Sequence, residues 1–269
     1  MTPNEGTPVT VDVTSVEDLA RRLATLEEEL AEAKRVAARA ADRGAVENVF
    51  NRYMHYHNAY QDQRIIDELW AKPGTPDMWS RYNNVGLYTT YESVTAYHRG
   101  RPKPIGKLLF HHTSTPVVEV GADGETAKGI WIMAGLESGL MDPEVAKGVP
   151  EWVFSGGEVE VKPVWAHWVW CKYGVDFIKQ DGEWRIWHFR CYEVARAPFN
   201  RDWISFAKDN QESHDSQLAW FGDDGVPVFL PPVDEPVTTE NYYPYANDRA
   251  QTLDPVPPLP YSTFEDTFR

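Results

Sequence analysis

Cysteine is nearly absent from this chain: two in 269 residues, Cys171 and Cys191. That excludes a disulfide framework, and both thiols are read as buried and free. No apolar run is long enough to span a bilayer. The start, Met1-Thr-Pro-Asn-Glu-Gly6, lacks the basic-then-apolar pattern of a secretory leader, so a soluble cytoplasmic protein is expected. Positive charge is scarce, with 26 Lys and Arg against 41 Asp and Glu and a formal net charge of -15. Nucleic acid and anionic membrane are therefore not expected as partners, because both repel a negative surface. There is no Gly-rich phosphate loop after a strand, no HExxH, no Cys-pair spacing and no GxSxG elbow. The one HxH, His55-Tyr-His57, falls on a helix, where residues two apart do not face each other. No metal, nucleotide or other cofactor is expected.

Tryptophan, by contrast, is abundant, with 11 residues. Two runs concentrate it: Trp165-Ala-His-Trp-Val-Trp-Cys-Lys-Tyr173 and Trp184-Arg-Ile-Trp-His-Phe-Arg-Cys-Tyr192. Alternate residues of a strand face opposite sides. The second run then places Trp184, Ile186, His188, Arg190 and Tyr192 on one face, and Arg185, Trp187, Phe189 and Cys191 on the other. A buried cation is costly unless it is paired or lines a cavity. A face carrying His188, Arg190 and Tyr192 among tryptophans thus reads as a pocket wall, with His167 on the neighbouring strand a further candidate. The bland alternative for Arg190 is a structural ion pair with Glu47 or Asp176.

The chain divides into four stretches. Residues 1–14 are expected to be disordered. Residues 15–43 carry an amphipathic helix of the oligomerisation type, capped by Ser15 with Asp18 in the first turn. Its apolar residues Val16, Leu19, Leu23, Leu26, Leu30, Ala33 and Ala37 alternate spacings of three and four, a heptad seam suited to a partner chain. Residues 44–197 form the main domain. Gly44 is expected to break the helix before a second one over about Ala45–Tyr60. Ile65–Trp70 and Ser93–Arg99 read as short helices, and Met78–Tyr82, Leu108–Val120, Thr126–Leu136, Glu160–Lys179 and Glu183–Val194 as strands. Asn83-Asn-Val-Gly86 reads as a turn, and residues 137–160 as a long irregular insertion. Asp181-Gly182 is a strong hairpin signal. Residues 198–269 are rich in proline and in aromatics such as Tyr242, Tyr243, Tyr245, Tyr261 and Phe264. They read as an extended arm that wraps its own subunit or a neighbour. Helices first and antiparallel strands last make an α+β pattern.

Ala45 to Tyr192 resembles the SnoaL-like group of the nuclear transport factor 2-like superfamily. The matching features are the helical Tyr53, the strand Tyr82, His111-His-Thr-Ser-Thr-Pro116, Thr126-Ala-Lys-Gly-Ile-Trp131 and the Asp181-Gly-Glu-Trp-Arg-Ile186 hairpin. The helix before the domain is similar to the start of bacterial bile-acid dehydratases; scytalone dehydratase and the lignin-diarylpropane lyases that shed formaldehyde share the superfamily. The resemblance implies a cone-shaped α+β barrel closed by helices, a homo-oligomer (trimer or dimer), and acid-base chemistry without a cofactor. It places Tyr53 and Tyr82 at the dehydratase tyrosines and one of His111 and His112 at the central histidine. Neighbours in a strand face opposite ways, so at most one of these enters the interior. Asn58 or Asp62 stands at the partner aspartate, and Trp131 near a second catalytic position. Tyr173 joins the substrate-contacting set.

The resulting expectation is a lyase acting on a small aromatic, phenolic substrate. Tyr53, His111, His112, His188 and Arg190 are the catalytic candidates. Asn58, Asp62, Tyr82, Trp131, His167, Tyr173 and Tyr192 are the binding candidates. Asn58 at the aspartate position would favour a lignin-derived diarylpropane that loses water and formaldehyde to give a stilbene. A dehydratase of a polyketide- or steroid-like substrate, a polyketide-cyclase-like isomerase and a non-catalytic binder are the alternatives.

Overall fold

Ser15 opens the first helix as the spacing predicts. Its Oγ accepts from the Asp18 amide at 3.1 Å and donates to the Asp18 carboxylate at 2.9 Å, satisfying a donor the helix leaves open. In this computed structural model the helix, α1, runs unbroken over Val16–Asn58. The expected break at Gly44 and the separate helix from Ala45 do not occur. Glycine inside a helix costs only about 1 kcal/mol, and the Arg43–Glu47 ion pair, 3.2 Å, brackets it. Beyond Gly44 the helix buries Val46, Phe50 and Tyr53, each worth more than that loss at about 1.5–3 kcal/mol per large apolar side chain.

The structure describes residues 15–83, 85–99, 108–140, 147, 157–159, 162–204, 220–221, 227–228, 231–236, 238 and 244–269. The expected disordered segment 1–14, most of the 137–160 insertion, Asn84 of the expected turn, and Tyr242 and Tyr243 of the arm lie outside them. The chain divides into two compact units, Met1–Ala41 and Asp42–Arg269. In the first, every residue from Leu19 to Ala41 is exposed.

The second unit holds the sheet. Its strands in chain order are β1 (Trp79–Tyr82), β2 (Gly86–Tyr88), β3 (Leu108–Val120), β4 (Thr126–Leu140), β5 (Gly157–Val159), β6 (Lys162–Gln180) and β7 (Glu183–Pro198). β8 (Trp220–Phe221) and β9 (Pro227–Val228) pair apart from it, and β10 (Glu235–Pro236) closes it. The order is β10-β2-β1-β7-β6-β4-β3, with β5 beside β6. β1 and β7 run parallel and the other pairs antiparallel. A short helix, α2 (Asp62–Arg64), runs into a π-turn over Ile65–Leu69, and α3 (Tyr91–Arg99) precedes β3. The architecture is α+β, with a mixed, mostly antiparallel sheet. Asp181 and Gly182 form the β6–β7 turn with φ of 52° and 81°, the left-handed pair a two-residue hairpin needs.

The Val46–Asn58 end of α1 packs on one face of this sheet, the inner face. Phe50 stacks on Trp131 at 4.0 Å and meets Tyr173 edge-on at 5.4 Å. Tyr53 lies 5.1 Å from Phe189.

Two bulges in β7 decide what faces inward. Asp176 pairs with His188 but Phe177 with Ile186, so Trp187 is extra. Trp170 pairs with Ala195 but Cys171 with Glu193, so Val194 is extra. Each extra residue flips the alternation. Trp184, Ile186 and Phe189 therefore join the inner core, and Glu193 and Arg196 come to the same side, 2.9 Å apart. The single face expected for Trp184, Ile186, His188, Arg190 and Tyr192 is split at Trp187. His188, Arg190 and Tyr192 turn to the outer face.

The end of the arm covers part of that outer face, on its own chain. Phe268 is buried with Trp79 and Leu87, and a Cβ on Gly174 would come within 2.6 Å of its ring. Gly174, mid-strand, is the seat for that ring. Lys172 donates to the Asp254 carbonyl at 2.7 Å, and Arg190 to the Phe268 carbonyl at 3.0 Å.

Candidate active site

On the inner face, the ends of several elements bring polar side chains together. α1 ends with His57 and Asn58, α2 begins at Asp62, α3 carries His98 in its last turn, and β1 ends at Tyr82. His57, Asp62, Tyr82 and His98 are all buried. His98 Nδ1 lies 3.4 Å from Asp62 Oδ1, and its Nε2 lies 3.3 Å from the Tyr82 hydroxyl. With Asp62 ionised, Nδ1 donates to it and the Nε2 lone pair faces Tyr82. His57 Nδ1 sits 3.8 Å from the same Asp62 oxygen. Tyr53 stacks on His57 at 5.7 Å and meets His98 edge-on at 6.0 Å. Trp70 lies 5.9 Å from His98.

A second group continues from there. The His111 ring is 5.2 Å from that of His57. His111 Nε2 is 3.0 Å from Glu137 Oε1; Arg196 donates to Glu137 Oε2 at 2.8 Å and to Glu193 at 2.9 Å. Gly135 makes room: a Cβ there would stand 2.6 Å from the His111 ring. Burial pushes the Glu137 carboxyl up, but Arg196 and His111 together outweigh it and hold the group well below the usual carboxylate range. His111 Nδ1 is buried with no hydrogen-bond partner among the described residues.

The expected site residues divide between the two faces. Tyr53, Tyr82, Asp62, His111, Trp131 and Tyr173 lie on the inner side. His111 faces inward and His112 is exposed, as their alternation requires. Asn58 exchanges two hydrogen bonds with the His111 backbone, 2.9 and 3.0 Å, so it braces the strand. His167 is buried, opposite Glu137 in register. His188, Arg190 and Tyr192 are not brought to this group. Arg190 donates to Asn83 at 3.2 Å and to the carbonyl of Phe268, and packs over Tyr192. Sequence reasoning missed His57, His98, Glu137, Glu193 and Arg196.

His188 belongs instead to an outer-face cluster under the C-terminal segment. It stacks between Trp79 at 5.0 Å and Trp187 at 4.1 Å, and its Nδ1 meets Asp176 at 2.9 Å. Asp266, held by Trp79 Nε1, lies 4.0 Å away. Asp176, His188 and Asp266 each offer an atom within 4.8 Å of the others, so this trio could hold a cation. Asp266 comes from the far end of the chain, beyond the reach of motif spacing. Burial raises the Asp176 carboxyl to about 6, against the pull of the His188 hydrogen bond. A carboxyl raised in the folded state favours folding most below its ordinary value of 3.8, and that contribution is lost as pH rises through about 6. The loss is on the order of 3 kcal/mol across that window. Asp176→Asn lacks this slope, so urea unfolding at pH 4 and pH 7 should show the variant gaining on the wild type as pH rises. An unchanged difference would contradict the assignment.

Residues 38–190 match the family described as a SnoaL-like domain, more than half of the chain. The chain belongs to the SnoaL-like domain family. A search of the curated proteins gives no match. Among solved structures, a type 2 hexachlorocyclohexane dehydrochlorinase (LinA) is 14% identical, covering 61% of this chain and 92% of its own, with a TM-score of 0.44. A proposed scytalone dehydratase from Novosphingobium aromaticivorans DSM 12444 is 11% identical, covering 62% and 99%, at 0.41. A nuclear transport factor 2-like protein from Salmonella enterica serovar Typhimurium LT2 is 10% identical, covering 57% and 92%, also at 0.41. At such low identity those activities belong to those proteins. In this SnoaL-like chain, as far as the described residues go, no helix is long and apolar enough to cross a membrane.

Proposed function

We propose that this SnoaL-like chain is a cofactor-independent lyase that eliminates water from a small aromatic, phenolic substrate. The observation that carries the reading is the buried sequence Asp62–His98–Tyr82, with a carboxylate on one nitrogen of the ring and a hydroxyl on the other. Asp62 orients the ring and stabilises the imidazolium that forms when His98 Nε2 takes a proton from carbon. The carbon–oxygen bond then breaks as the double bond forms. His111, supported by Glu137 and Arg196, gives its own Nδ1 proton to the departing hydroxyl, which leaves as water; His98 then releases its proton to solvent and His111 takes one back. Tyr82 and Tyr53 hydrogen-bond the substrate oxygens, and the rings of Trp70, Phe189 and Trp131 supply an apolar wall. Water loss is preferred to formaldehyde loss because a carboxylate–imidazole base is present. The deformylation reading leaned on its absence.

The test is a panel of phenolic β-hydroxy ketones and diarylpropanes incubated with the full chain in deuterated water. The expected result is a product one water lighter, with new conjugated absorbance, formed by the wild type and not by His98→Ala. A product that has lost nothing, heavier than the substrate only by deuterium taken up from the solvent, would identify an isomerase. Tight binding without turnover across the panel would identify a binder, and either outcome would overturn the lyase.

A further inference from the structure

We propose that α1 pairs, over Val16–Ala37, with the same helix of a second copy of this chain as a parallel two-stranded coiled coil. The helix has an unpartnered apolar seam. Val16, Leu19, Leu23, Leu26 and Leu30 are 83, 55, 58, 60 and 54% exposed. With Ala33 and Ala37 they alternate spacings of three and four, the repeat that keeps one seam against a neighbour in a left-handed supercoil. Val16, Leu23, Leu30 and Ala37 take the first core position of each heptad, and Leu19, Leu26 and Ala33 the second.

The charges identify the occupant. Arg22 and Glu29 flank the seam on one side, Glu27 and Lys34 on the other. In a parallel in-register pair, a flanking residue faces the one five positions on in the other helix. Arg22 then meets the partner's Glu27, and Glu29 meets the partner's Lys34. Both pairs are of opposite sign, and two-fold symmetry makes each occur twice. The sequence is thus complementary to itself. Ion pairs within the helix lie elsewhere: Arg21–Asp18, Arg35–Glu32 and Arg39–Glu32 occupy the outward positions. Among the described residues no ion pair uses Arg22, Glu27, Glu29 or Lys34. A seam two positions wide per heptad, flanked by Arg22, Glu27, Glu29 and Lys34 with Ala20 and the exposed Val36 beside them, fits two strands, because higher assemblies bury more of the charged flanks.

The test is disulfide cross-linking of the full chain under mild oxidation. Leu19→Cys should give a covalent dimer, because a core position near one end of the seam meets its own equivalent only in a parallel, in-register pair. Glu28→Cys, on the outward side, and the wild type should not. No dimer from Leu19→Cys, or equal dimer from Glu28→Cys, would overturn the proposal. In sedimentation, Arg22→Glu should weaken self-association about tenfold, and adding Glu27→Arg should restore it. Failure of the second change to rescue the first would reject the parallel register.

Discussion

Asp62→Asn should lower kcat about a thousandfold while the protein stays folded. Asparagine keeps the shape and can still accept from His98 Nδ1, 3.4 Å away. It no longer carries the charge that stabilises an imidazolium, and its amide can hydrogen-bond the ring in the wrong tautomer. The loss should fall on kcat more than on KM, since the charge matters most once the proton has moved. Steady-state kinetics on the substrate found by the screen, beside thermal melts, separates the two effects. A variant with wild-type kcat would show that Asp62 is only a structural partner of His57 and His98.

Glu137→Ala should cost about 3 kcal/mol or more of stability, because breaking a buried ion pair leaves a charge without its counter-charge. The side chains of Glu137 and Arg196 are 12 and 14% exposed. Arg196 would keep Glu193 alone, and the His111 ring would lose its carboxylate. Glu137→Gln, which retains the shape and one acceptor, should cost less. The pH dependence has the opposite sign to that of Asp176. A carboxyl held low in the folded state contributes stability above its ordinary value of 4.5, and that contribution is lost as pH falls through the folded value. Urea midpoints of the wild type should therefore drop on acidification below about 4.5, and those of Glu137→Ala should drop less. A loss below 1 kcal/mol would mean the group is solvated and not the rigid support described for His111.

The fold was largely legible because its signals are local. Ser15 with Asp18, the heptad leucines, the Asp181-Gly182 turn and the aromatic strands each announce an element within a few residues. The helix through Gly44 was not legible, since its continuity comes from packing of Val46 and Phe50 and not from propensity. The site was half legible. Tyr53, Tyr82, Asp62 and His111 were named; the bulges at Trp187 and Val194 were not foreseeable, because register depends on the neighbouring strand. Strict alternation puts Arg190 and His188 inside, an assignment that fails at the Trp187 bulge, and it is the Val194 bulge that brings Glu193 and Arg196 to one side. One available signal went unused. Glu137 stands two residues beyond Gly135 and four beyond Met133 on the core face of an apolar strand, a position where a carboxylate needs a cation. His98, at the end of a short helix, gave no pattern of its own and is found only when that helix end meets Asp62.

The proposed chemistry lies on the inner face of the sheet, and the outer cluster under the C-terminal segment is not its seat. The most direct measurement is turnover of one substrate by His98→Ala and by His188→Ala, each checked for folding. His98→Ala should lose activity by two or more powers of ten, and His188→Ala should keep activity near that of the wild type. Loss of turnover in His188→Ala with activity preserved in His98→Ala would contradict it.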